Sequence, residues 1–286
     1  MVIVDLQQVM IASIMMQMGF SGGEIQLPML KHMVLNSLRS YRQKYTTKYG
    51  EMIIACDTGS SWRKARFPYY KANRSKDKDE SALDWDAIHS GLREVRNDLR
   101  EYFPYRIIEV EGAEADDIIG TLVFKFGSDI PGSEPILILS ADKDFKQLHR
   151  FTNVDQYDPV RNKKVVENNP EDYLLEHILR GDGSDGVPNV LSQDSSIVMK
   201  IRQSAMTQKR LESLMKQAKS GVWDDAENLR RYYRNKEMID LSHTPKSLVD
   251  EIMQQYESQV GKGRDKIFGY LMKNRMKHLM EYAQEF

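Results

Sequence analysis

Four short apolar runs, MVIV, EMIIAC, YRIIEV and PILILS, are separated by longer stretches in which apolar residues recur every three or four positions. Runs of that length, rich in Ile and Val, read as strands buried on both faces. The intervening LPMLKHMVLNSLRSYRQKY and LDWDAIHSGLREVRNDLREYF read as amphipathic helices. Strand and helix in alternation predict an α/β fold with a mostly parallel central sheet flanked by helices. Weaker strands are expected at NVDQYD and KKVVE, and beyond about residue 170 the pattern becomes helical. The division is placed at 1–180 for the core and 181–286 for a smaller, mainly helical C-terminal region.

Acidic residues close or follow each main strand. Asp5 ends MVIVD, Asp57 ends MIIACD, Glu114, Asp116 and Asp117 follow YRIIEV, and Asp142 and Asp144 follow PILILS. The carboxyl ends of parallel strands share one sheet edge, where ligands bind at a switch in strand order, so these side chains are expected to converge. Asp182 and Asp185, in GDGSDG, reach the same edge from the start of the helical region, with Gly183 and Ser184 as the turn between them. Singly, each has a plainer reading: Asp5 and Asp57 as helix caps, Asp142 as the cap of a helix through Leu148, GDGSDG as a surface turn. A calcium loop starting at Asp182 is excluded because its twelfth position is Gln193. Together they are too dense to remain ionised without cations. Oxygen ligands favour Mg²⁺, with Mn²⁺ as a substitute, and two such ions form the arrangement that hydrolyses phosphodiesters.

The net charge of −1 hides an uneven distribution. Between Ser61 and Glu80 there are seven basic residues and three acidic ones, with Phe67, Tyr69 and Tyr70 interleaved. A Lys or Arg beside metals stabilises the negative charge that builds up in phosphodiester hydrolysis. A tyrosine among cations suits stacking on an unpaired base, while Phe67 is expected to pack. The single cysteine, Cys56, excludes a disulfide framework and a multi-cysteine zinc site and favours a reducing compartment. VMIASIMMQMGF is too short for a membrane span and lacks a basic lead, so it reads as a core helix.

VEGAEADDIIGTL, ILSADKDFKQLH, GDGSDGVPNV and WRKARFPYYKANR, taken together, resemble the structure-specific 5′ nuclease family: flap endonucleases, the 5′ nuclease domain of bacterial DNA polymerase I and phage 5′ exonucleases. Within it the T-even phage ribonuclease H branch is most similar, and YRNKEMIDLSHTP carries the resemblance into the last third. The resemblance implies a PIN-like core with Asp5, Asp57, Glu114 and Asp116 as a first metal cluster and Asp142, Asp144, Asp182 and Asp185 as a second. Asp117 matches a further acidic position and joins the implied metal ligands. Lys71 and Arg74 match catalytic cations at the foot of a basic arch, about residues 60–85, and Arg63 and Lys64 match basic positions that join Tyr69 and Tyr70 as expected nucleic-acid contacts. The implied activity is metal-dependent 5′ to 3′ exonuclease and flap endonuclease cleavage, removing RNA primers in phage DNA replication. Its implied setting is the cytoplasm of an infected bacterium. There a monomer acts on branched or 5′-ended DNA and RNA–DNA duplexes, with a single-stranded-DNA-binding protein as partner.

One segment departs from the family pattern. Where most members carry a Gly-Ile-Gly hairpin after GDGSDGVPNV, this chain reads LSQDSSIVMKIRQ. Without glycines the backbone cannot approach phosphate closely, so Lys200 and Arg202, with Lys209 and Arg210, are expected to grip the duplex, and Ser195 and Ser196 to cap the following helix. Two rivals remain: a phosphatase using Asp142 and Asp144, and a fork-binding protein without catalysis. The first is weakened because its motif belongs after a first strand. The second is weakened because a pure binder gains nothing from anions near phosphate.

Overall fold

The computed structural model describes residues 1–21, 26–74 and 85–286. Strands β1 (Val2–Asp5), β2 (Met52–Ala55), β3 (Arg106–Ile108), β4 (Ile136–Leu139), β5 (Val154–Asp158) and β6 (Lys163–Val165) form one sheet in the order β3-β2-β1-β4-β5-β6. β1 to β5 are parallel, and β6 runs antiparallel at the edge. The strand order reverses between β1 and β4, which makes their carboxyl ends the switch point.

Alternation along each strand explains why the runs are apolar throughout. Val2, Val4, Ile54 and Leu137 face one layer, made of α1 (Leu6–Ser21), α2 (Leu27–Tyr49) and, beyond the short α3 (Trp62–Arg66), α4 (Trp85–Tyr102). Ile3, Ile53, Ile108 and Ile138 face α5 (Ala115–Phe126) and the 3₁₀ segment Lys143–Arg150. α1 is a core helix on one face only. It buries Val9, Met10 and Ile14 and leaves Met15 and Met16 each 59% exposed.

The C-terminal region contributes α6 (Pro170–Arg180), α7 (Gln208–Ser220), α8 (Ala226–Ile239), α9 (Lys246–Ser258), α10 (Ile267–Lys273) and α11 (Lys277–Met280). It returns to both faces of the sheet. Leu241 and Ile252 join the α5 layer, while Tyr270, Leu271 and the terminal Phe286 join the opposite one. No helix of the described residues is long and apolar enough to cross a membrane.

Candidate active site

The carboxylates gather at the switch point as expected from the strand ends. Asp5 is the last residue of β1, its Oδ1 accepting from Gln8 N at 3.1 Å and its Oδ2 from Ser140 Oγ at 3.2 Å across the β1–β4 junction. Asp57 accepts from Ala115 N at 2.8 Å, at the start of α5. Asp142 caps its 3₁₀ segment through Asp144 N at 2.9 Å, so the capping reading is right for this residue and leaves its second oxygen for another task. Asp116, Asp144, Asp182 and Asp185 line one small cavity.

Burial and mutual repulsion act on these groups together. Burial, then the charges of Asp57 and Asp142, push Asp5 up to about 7. Burial and Asp142 push Asp144 up to about 7 and Asp116 well above the usual carboxylate range. Asp57 is also raised, by burial first. Asp144 Oδ1 is buried with no hydrogen-bond partner. Buried, like-charged oxygens with an unmet lone pair are the donor set a hard divalent ion satisfies, so the residues fit such an ion.

Glu114 and Asp185 are held differently. Lys71 Nζ bridges them, against Glu114 Oε1 and 3.6 Å from Asp185 Oδ2. The Tyr70 hydroxyl donates to Glu114 Oε2 at 2.8 Å and lies 3.0 Å from Asp185 Oδ2. Arg74 Nη2 donates to Asp185 Oδ1 at 2.6 Å. Burial alone would raise Glu114 and lower Lys71, but their mutual attraction outweighs it, holding the carboxyl below its usual range and the ammonium above.

Three expectations for this segment are corrected by burial. Arg63 is 2% exposed. Its guanidinium pairs with both oxygens of Asp117, at 2.8 and 3.0 Å, and with Glu114, while its Nε donates to Met238 O. Asp117 also takes Trp62 Nε1, Thr244 Oγ1 and the Glu114 amide, so neither oxygen is left for a metal. Arg63 and Asp117 therefore form a buried structural pair, out of reach of nucleic acid and ion. Tyr70, 3% exposed, is packed and cannot stack on a base, whereas Tyr69 is half-buried and Lys64 exposed. Lys64, Lys71 and Arg74 line a cleft of about 680 Å³ with Asp57, Glu114 and Arg96. The remainder of the basic segment, residues 75–84 with Lys76 and Lys78, lies outside the described residues.

Residues 24–176 match the family described as "5'-3' exonuclease, N-terminal resolvase-like domain", and residues 168–286 match "T4 RNase H, C terminal". The ribonuclease H of Enterobacteria phage T4 is 31% identical over 274 residues, covering 92% of this chain and 88% of that protein. The chain belongs to the 5′–3′ exonuclease family. DNA polymerase I of Pseudomonas aeruginosa is 31% identical over 166 residues, which are 55% of this chain and 17% of the polymerase. Among solved structures, T5 5′-exonuclease with bound zinc superposes with a TM-score of 0.61 at 15% identity, over 91% of this chain and 99% of that one. The T5 flap endonuclease complexed with DNA and metal ions gives 0.57 at 16% identity, over 90% and 98%. Those two likenesses establish the same fold. Family membership makes the chain a metal-dependent 5′–3′ nuclease, and Asp144, His177 and Asp182 form a group that could hold a metal ion.

Two features of this family member were not read from its sequence. His177, in the last turns of α6, is buried between Asp144 and Asp182, and a lone histidine on a helix gives no signal in sequence. Gln147, also buried, donates to Asp144 O and Ile239 O and accepts from Leu241 N, which ties the second carboxylate group to the end of α8.

The glycine-poor loop is also resolved physically. Lys200 takes φ +54°, with Ile201 N donating to Ser196 O and Lys200 N to Ile197 O, the bonding of a Schellman turn with lysine where glycine is usual. Thr207, not Ser195 or Ser196, caps the next helix, α7. Lys200, Arg202, Lys209 and Arg210 are all exposed.

Proposed function

We propose that the chain is a two-metal 5′ to 3′ nuclease that degrades the RNA strand of RNA–DNA duplexes and cuts 5′ ends and flaps of DNA, removing primers during phage replication. The observation that carries this is the convergence of eight carboxylates on one switch point, with Asp5, Asp116 and Asp144 raised by burial and mutual repulsion. Asp5, Asp57, Glu114 and Asp116 would hold one ion and Asp142, Asp144, Asp182 and Asp185 the other, with Mg²⁺ the ion of choice for oxygen donors. When bound, the ions supply Lewis acidity to the attacking water and the leaving oxygen.

The chain's own residues perform the rest. Glu114 and Asp185, now paired with Lys71 and Arg74, would hold the cations, which would release those two side chains. Lys71 and Arg74 would then hold the scissile phosphate and stabilise the charge it gains. Lys64 and Tyr69 line the approach for the 5′ strand, and Lys200 and Arg202 hold duplex phosphates. Residues 1–180 thus supply most of the chemistry, completed by Asp182 and Asp185, and the rest of 181–286 supplies the duplex grip. A monomer suffices because every carboxylate comes from one chain. A single-stranded-DNA-binding protein as partner, and action in the cytoplasm of a phage-infected bacterium, rest on the family likeness alone.

The test is a panel of RNA–DNA hybrid, nicked and flapped substrates labelled at either end, started with Mg²⁺. Short products released from the 5′ end of hybrid and flap are expected. Release from the 3′ end, or cleavage of phosphomonoesters only, would overturn the reading.

A further inference from the structure

The geometry points to His177 as a direct nitrogen ligand, through Nδ1, of an ion that it shares with Asp144. This rests on the metal-dependent reading above and adds a donor that the carboxylate pattern does not contain. His177 sits among carboxylates, its side chain 7% exposed, with Nε2 3.3 Å from Asp182 Oδ2 and Nδ1 3.7 Å from Asp144 Oδ1. A neutral imidazole has one N–H. Its nearer acceptor is Asp182, so the proton belongs on Nε2, as in metal sites where the second ring nitrogen donates to a carboxylate.

The Nδ1 lone pair then faces Asp144 Oδ1, which is buried and has no hydrogen-bond partner. The two atoms face each other with no hydrogen bond between them. A second proton on Nδ1 does not repair this, because 3.7 Å is too long for a hydrogen bond. Two donors of one octahedral ion at about 2.1 Å lie roughly 3 Å apart when adjacent and about 4.2 Å when opposite; 3.7 Å falls between, so a small turn of the ring brings Nδ1 and Oδ1 onto one ion. One donor atom each from Asp144, His177 and Asp182 falls within a common 4.8 Å.

The surroundings fix the ring in place. Tyr173 meets it edge-on, ring centroids 5.9 Å apart at 81°, and Ser184 N and Oγ hold Asp182 Oδ1. Lys143 Nζ, 2.9 Å from Asp182 Oδ2, is a half-exposed cation beside the site. An imidazole nitrogen makes this centre softer than the all-oxygen cluster at Asp5, Asp57, Glu114 and Asp116. It should therefore prefer Mn²⁺ over Mg²⁺ more strongly.

The experiment is pulsed EPR of the full chain loaded with Mn²⁺ alone, with calorimetric titration of Mn²⁺ and Mg²⁺, for the parent, His177→Gln and His177→Asn. Near-UV circular dichroism checks that both variants are folded. The parent should show ¹⁴N coupling from one directly bound imidazole, absent in both variants. Mn²⁺ affinity at that site should fall about tenfold or more while Mg²⁺ affinity changes much less. Mn²⁺ bound to the parent without nitrogen coupling, or coupling that survives in both variants, would overturn the ligand assignment and leave the two-metal reading intact. If the parent binds no Mn²⁺ stoichiometrically, both fail together. The parent spectrum decides even if neither variant folds.

Discussion

Asp117 and Asp144 sit within one group of acidic side chains, and only their partners separate a structural carboxylate from a proposed metal ligand. Asp117 is saturated by Arg63, Trp62, Thr244 and a backbone amide, whereas Asp144 keeps a buried oxygen unpaired. Arg63→Ala would strand Asp117 in the interior. It should cost about 3–5 kcal/mol, seen as a lower urea midpoint at unchanged slope. Asp144→Asn removes an unpaired buried charge and should leave the metal-free protein at least as stable as the parent; a comparable loss would show that Asp144 is structural. The pH dependence follows from the same contrast. Asp5 and Asp144 rise to about 7 from 3.8, so the metal-free native state holds extra protons between those values. Their contribution is fully present below about pH 3.8 and is lost as pH rises through about 7. With chelator, the thermal midpoint should therefore fall between pH 5 and 8, and saturating Mg²⁺ should flatten that slope. A midpoint that rises over this range in chelator would contradict the assignment. Sequence showed where the carboxylates lie because strand ends are legible. It could not separate Asp117 from its neighbours, because Arg63 looks like any other cation in a basic run until its burial is known.

At the scale of elements, two turns do the positioning and both hold lysines in left-handed backbone. Lys71 (φ +54°) donates its amide to Asp185 O at 2.7 Å, which joins the basic segment to the GDGSDG turn. Opposite it stands Gly186, φ +73°, where an added Cβ would lie 2.6 Å from Tyr69 O. Backbone cannot yield as a flexible side chain can. Gly186→Ala should thus cost roughly 1–3 kcal/mol from the backbone conformation alone. It should also lower turnover by displacing Lys71, with duplex binding much less affected. Lys200 allows a cleaner separation of strain from contact. Lys200→Gly relieves a left-handed conformation worth roughly 1–2 kcal/mol, so it should stabilise the fold while weakening duplex binding as much as Lys200→Ala does. Equal binding by the glycine variant and the parent would mean that the backbone, not the ammonium, meets phosphate. The missing glycines were visible in sequence, but the Schellman turn that replaces their shape was not, since lysine has no preference for that conformation.

Across the whole molecule, the alternation of strand and helix predicted the sheet, because strands buried on both faces must be apolar throughout. The return of the C-terminal region to both faces was not predicted. It depends on contacts such as Phe286 with Phe103, and Arg63 Nε with Met238 O, between residues far apart in the chain. Those contacts make the carboxylate edge a product of the full chain, with Asp182 and Asp185 arriving after the core is built. The most direct test is therefore Mg²⁺-started cleavage of a 5′-labelled RNA–DNA hybrid by the full chain and by Asp144→Asn, with binding measured alongside. Short 5′ products are expected from the parent, none in chelator, and turnover at least about a hundredfold slower in the variant at undiminished affinity. Cleavage that persists in chelator, or a variant that turns over like the parent, would contradict this expectation.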